Sequence, residues 1–105
     1  MQMFEIQHAK LANGKIPYRE WLASLDKNIQ TIIQSRIERL KAGLFGDCKS
    51  LKDGVFELRV AVGPGYRVYF GMKENKIVIL LTAGNKKSQA KDIGKAKELW
   101  QQLKN

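Results

Sequence analysis

Between Glu57 and Phe70 the chain reads ELRVAVGPGYRVYF. Arg59, Arg67 and Tyr69 flank one turn-forming GPG. A guanidinium can hold two oxygens of a phosphate at once, and a tyrosine ring can stack on a base or hydrogen-bond to it. The three residues therefore fit a cationic groove for a phosphate chain. The alternative is an ordinary exposed sheet face with arginine packed over tyrosine.

Strand register decides where these side chains point. A three-residue loop, Gly63-Pro64-Gly65, sets Val62 opposite Tyr66, Val60 opposite Val68 and Leu58 opposite Phe70, which collects the large apolar residues on one face. A five-residue loop has the same parity. Arg59 then faces Tyr69 and Arg67 faces Ala61, so the arginines are diagonal neighbours roughly 7–8 Å apart. Their repulsion is relieved if an anion or Glu57 sits between them. A turn at Glu74-Asn75 sets Phe70 opposite Ile79 and Val68 opposite Leu81. It leaves Val78, Leu80 and Thr82 beside the arginines, on a second face that the C-terminal helix or a partner must cover. Both arginines point away from this core, so truncating either one is expected to spare the fold.

The elements that would carry this hairpin follow from periodicity. The chain has 105 residues with 44% apolar content, enough for one globular domain, 1–105, with a modest core. MFEIQHA alternates as a first strand. Pro17 suits the start of a helix over YREWLASL. Asp26 is a good N-cap for a second helix whose Ile29, Ile33, Ile37 and Leu40 share one face and whose Arg36, Arg39 and Lys41 are its solvated side. GLFGDCKSLKDGV reads as a loop. Strands over 55–62, 66–72 and 77–82 follow. A last helix, capped by Ser88, presents Ile93, Ala96, Leu99, Trp100 and Leu103. The order is β-α-α-β-β-β-α, an α+β class.

Charge narrows the partners. Nineteen Lys and Arg oppose ten Asp and Glu, a formal net charge of +9. Residues 49–105 carry twelve basic and five acidic side chains, against seven and five in 1–48. Such a basic half suits a polyanion, either nucleic acid or an acidic protein. Cys48 is the only cysteine and His8 the only histidine. That excludes an internal disulfide, and no cluster of carboxylates or histidines has the spacing of a metal site, so neither metal nor cofactor is expected. No apolar run is long enough to span a membrane and the N-terminus lacks signal-peptide character, so a cytoplasmic protein is expected.

The segments PYREWLASLD, FGDCKSLKDGVFELR, GPGYRVYF, AGNKKSQAKDI and AKELW, taken in order, resemble the RelE/ParE toxin superfamily, most closely its HigB-like, phage-related branch of addiction module killer proteins. The resemblance spans nearly the whole chain. The branch usually carries Gly-Gly-Asp-Lys where this chain has Ala83, Gly84, Asn85 and Lys86. The resemblance implies an antiparallel sheet packed against two N-terminal helices and a C-terminal helix. It also implies a type II toxin neutralised by a helix-turn-helix antitoxin. RelE-like members cleave mRNA, commonly on the ribosome and without a metal; ParE-like members poison DNA gyrase instead. A toxin that only binds its antitoxin is a third possibility.

Metal-free RNA cleavage needs a base for the 2′-hydroxyl, an acid for the leaving 5′-oxygen and cations for the phosphorane. On this reading Arg59, Arg67, Tyr69 and Lys86 are the catalytic candidates, and Lys52, Lys87 and Lys91 are the candidates for RNA binding. Residues 71–105 hold neither tyrosine nor histidine, so the general base is unassigned.

Overall fold

The structure is a computed structural model and describes residues 3–104. These form β1 (Glu5–His8), α1 (Pro17–Ala23), α2 (Lys27–Lys41), β2 (Cys48–Ser50), β3 (Val55–Val60), β4 (Tyr66–Lys73), β5 (Ile77–Asn85) and α3 (Gln89–Lys104). The class is α+β, as expected. Two features differ from the sequence reading. The loop after α2 contributes a short strand, β2. The sheet, ordered β1-β5-β4-β3-β2, is mixed and not purely antiparallel, because β1 runs parallel to β5. At three residues, β2 is too short to show an alternation.

Local chemistry places the helices. Pro17 occupies the first turn of α1, where a missing N–H costs nothing. Ile33, Ile37 and Leu40 form the buried stripe of α2. Asp26 precedes α2 but makes no side-chain cap; its backbone carbonyl accepts Gln30 N at 2.9 Å.

The hairpin register has the anticipated parity, moved along by one pair on each strand. β3 and β4 pair Leu58 with Val68, Arg59 with Arg67 and Val60 with Tyr66, leaving residues 61–65 as the loop. The loop closes early because Val62 N bonds to Val60 O at 3.0 Å and Gly65 N to Val62 O at 3.0 Å. Gly63 and Gly65 take φ of 54° and 84°, values open to glycine at little cost.

The β4–β5 register overturns the expected one. Lys73 pairs with Ile77 and Phe70 with Leu80, so the turn holds three residues where two had been expected. One residue of slip exchanges the faces of a strand. Val78 and Leu80, not Ile79 and Leu81, therefore join Phe70 in the core beneath α1 and α2. A bulge between Tyr69 and Phe70 shifts the ladder again, so Thr82 falls opposite Tyr69, where the expected register set it opposite Arg67.

The sheet thus buries both faces. On the α1/α2 side lie Leu58, Val60, Val68, Phe70, Val78 and Leu80 with Tyr18, Ile33, Ile37 and Leu40. On the other side α3 lays Ala96, Leu99 and Trp100 over Val55, Tyr69 and Leu81. Leu103, expected on this face, is exposed. The indole of Trp100 crosses Gly71 so closely that a Cβ there would lie 2.4 Å from the ring. The C-terminal helix is therefore what covers the apolar half of the second face.

Candidate functional site

Arg59 and Arg67 stand directly opposite one another in the β3–β4 ladder, with Gly84 of β5 next in the same row. They share one sheet face, opposite the faces of Leu58, Val60, Val68 and Phe70. Each has its own carboxylate. Arg59 Nε lies 3.6 Å from Asp47 Oδ2, with the side chains 44% and 62% exposed. Arg67 Nε lies 3.8 Å from Glu57 Oε1, with side chains 12% and 0% exposed. The anticipated role of Glu57 in relieving the arginine repulsion is thus half of the arrangement, and Asp47 supplies the other half. Arg36, expected on the solvated side of α2, is half-buried, and its Nη1 donates to the backbone carbonyl of Arg59 at 3.3 Å.

Beneath Arg67 lies a buried polar layer. Glu57 Oε1 also accepts the Gln89 side-chain amide at 2.8 Å. Among the described residues, Glu57 Oε2, Arg67 Nε and the Tyr69 hydroxyl are buried without a hydrogen-bond partner. Burial, reinforced by the carboxylates of Glu57 and Asp92 and opposed by Arg67, pushes the Tyr69 phenol well above its ordinary pKa. Its ring is fully buried under α3, which corrects the stacking and proton-donating roles expected of it: no face of the ring is open to a base. The partly exposed tyrosine at this end of the sheet is Tyr66. Its ring meets Trp21 edge-on at 5.9 Å, and its hydroxyl lies 3.8 Å from where a Cβ of Gly63 would stand.

The lysines divide. Lys86 and Lys87 are exposed on the β5–α3 connection and, with Pro64 and Asn85, line a depression of about 470 Å3. The Lys86 backbone N donates to Gly65 O at 3.2 Å, tying this segment to the hairpin turn. Lys91 is exposed in the first turn of α3. Lys52 does not join them. It sits in the β2–β3 turn with φ 71°, beyond the opposite end of β3 from Arg59. At ~3.3 Å per strand residue, that alone separates it from Arg59 by well over 10 Å. His8 pairs with Leu80 on the far edge strand, where its Nδ1 accepts from Arg19 Nε at 3.2 Å.

The start of α3 holds the site's floor. Asn85 Oδ1 accepts the backbone N–H groups of Lys87 (2.9 Å) and Ser88 (3.2 Å). Asn85 thus ties the turn that precedes α3, while the Ser88 hydroxyl, expected as the cap, donates to buried Asp92. Asparagine supplies the same acceptor oxygen that an aspartate would, so this departure from the resembled branch leaves the turn intact. A Cβ on Gly84 would lie 1.8 Å from Asp92 Oδ2, and only glycine admits this latch.

Sequence reasoning missed Asp47, Gln89 and Asp92. Asp47 lay in a stretch read as loop, and the other two are polar residues in an amphipathic helix with nothing to mark them as inward. Among the described residues no group of three or more His, Cys, Asp or Glu could hold a metal ion, and no helix is long and apolar enough to cross a membrane.

Comparison with known proteins adds kinship. The family described as phage derived protein Gp49-like matches residues 20–101, which include every candidate at the hairpin. An uncharacterized protein of Haemophilus influenzae is 48% identical over 90 residues, covering 84% of this chain and 90% of its own.

Proposed function

We propose, from the premise that this chain belongs to the Gp49-like phage-derived protein family within the RelE/ParE-like toxin superfamily, that it is the toxin of a type II toxin–antitoxin system. In this reading it acts as a HigB-like, metal-independent endonuclease on ribosome-bound mRNA in the cytoplasm and is neutralised by a helix-turn-helix antitoxin. The observation that supports the reading is the Arg59–Arg67 pair at one end of the second sheet face, beside the exposed Lys86 and Lys87. Two guanidiniums and two ammoniums around one turn match the charge that develops on a phosphorane.

Roles follow from exposure. Arg59 and the outer edge of Arg67 hold the scissile phosphate. Lys86, Lys87 and Lys91 track the flanking backbone, each worth less because each is exposed to solvent. Lys52 has no part in this cluster. Asp47 is an exposed carboxylate beside Arg59 and takes the place left open for a base.

The second reading is a ParE-like gyrase poison, or a toxin that only binds its antitoxin. It draws on the two carboxylates that neutralise the arginines, since a face already paired suits protein contacts as well as phosphate. Inducing the protein in cells separates the two. The nuclease reading expects cut transcripts by primer extension; growth arrest with gyrase-linked DNA breaks and intact transcripts would replace it with the second reading.

A further inference from the structure

We propose that Glu57 is a positioning residue: from beneath α3 it sets where the Arg67 guanidinium points. The inference takes from the nuclease reading only what Arg67 does. Its geometry stands on the contacts alone.

Glu57 is fully buried, and a carboxylate removed from water is costly unless well paired. Among the described residues, one oxygen carries all of its partners. Oε1 lies 3.8 Å from Arg67 Nε and accepts from Gln89 at 2.8 Å, while Oε2 has none. Apolar residues of equal volume would hold such a layer at least as well. Stability alone therefore does not account for an acid at this position.

What the acid supplies is direction. A free arginine spreads over many rotamers. Arg67 is confined by its own burial and by the Glu57 carboxylate that faces its Nε. Only 12% of the side chain remains exposed, on the sheet face it shares with Arg59. Gln89, in the first turn of α3, braces Glu57 in turn. That first turn is itself fixed to the sheet by Asn85 and by the Ser88–Asp92 latch over Gly84. Arg59 has no such support, because Asp47 is exposed.

Glu57→Gln keeps the shape and the Gln89 contact but removes the charge that fixes Nε. Single-turnover cleavage of ribosome-bound mRNA should fall on the order of 100-fold, the scale of a misplacement of about 1 Å. The effect should act through Arg67 alone. Adding Glu57→Gln to Arg67→Lys should change the rate less than about twofold, whereas adding it to Arg59→Lys should multiply the two losses. Independently of activity, the Arg67 Nε–H NMR signal should be sharp and slow to exchange in the wild type and averaged in Glu57→Gln. Folded Glu57→Gln that cuts within twofold of wild type, or equal losses in both arginine backgrounds, would overturn the inference and leave the nuclease reading standing. If wild type cuts no mRNA, the nuclease reading fails, and the Nε–H signal still decides positioning: an averaged wild-type signal overturns it. Should Glu57→Gln not fold, Gln89→Leu tests the same chain of contacts. A smaller rate loss with a broadened Arg67 signal is expected, and wild-type rate with the signal unchanged would overturn the inference.

Discussion

Arg59 and Arg67 occupy facing positions of one ladder, carry one charge and point to one side of the sheet, yet they are held in opposite ways. Arg59 pairs with an exposed aspartate, in water, where an ion pair contributes at most about 1 kcal/mol and holds its partners loosely. Arg67 pairs with a buried glutamate, where little solvent screens the charges and each needs the other. Two residues that look equivalent in sequence are therefore different objects. The first is available for chemistry at almost no structural cost. The second is a structural element whose outer edge reaches the same site.

The largest expected effect breaks that comparison from the buried side. Arg67→Ala leaves the buried Glu57 carboxylate under α3 without its cation, and should lower unfolding stability by about 3–5 kcal/mol. Arg59→Ala should change it by no more than about 1 kcal/mol. Urea unfolding of the two variants measures the contrast. Equal losses would mean that burial does not distinguish the pairs. For Arg67 this prediction replaces the expectation that either arginine could be truncated without harm to the fold. Pairing Arg67→Ala with Glu57→Gln should recover part of the loss.

Next comes the floor on which Arg67 rests. Gly84→Ala drives a methyl into the Asp92 carboxylate and the Ser88 hydroxyl and should cost about 1–3 kcal/mol as the first turn of α3 shifts. Thermal unfolding checks this, and an unchanged midpoint would mean that the latch is loose. Asp47→Asn probes the exposed side and should alter stability by less than about 1 kcal/mol. If Asp47 is the base, the same variant should slow cleavage strongly, so stability and rate should separate.

The smallest effect is in pH dependence and lies far from the site. Burial, helped by the Arg19 guanidinium, holds the His8 pKa below its ordinary 6.5. The unfolded chain then binds a proton more readily than the folded one. This contribution to stability is present above 6.5 and is lost as pH falls through the lowered value. His8→Gln should flatten that part of the stability profile between pH 7 and pH 5 while leaving cleavage at neutral pH unchanged.

The legible part of the molecule was that governed by parity. The alternation of Leu58, Val60, Val68 and Phe70 fixed both arginines on the second face, because a slip by one pair on each strand preserves parity. What failed was governed by single-residue counts. One extra residue in the turn after Lys73 exchanged Val78 and Leu80 with Ile79 and Leu81, and the bulge at Tyr69/Phe70 has no marker in an apolar run. Tyr69 was placed on the correct face and given the wrong role. Its burial depends on how far α3 extends over the sheet, a tertiary fact absent from the strand's own residues. For the same reason Glu57 was legible only as a possible neighbour of the arginines and not as a buried one.

The central claim is that the exposed half of the arginine pair does chemistry without supporting the fold. It is tested by cleavage of one defined transcript by wild type and by Arg59→Ala, read by primer extension, with circular dichroism and the urea midpoint as fold controls. The account predicts cut ends with wild type, a rate on the order of 100- to 1,000-fold lower for Arg59→Ala, and matching unfolding midpoints. Folded Arg59→Ala cutting at the wild-type rate would contradict it.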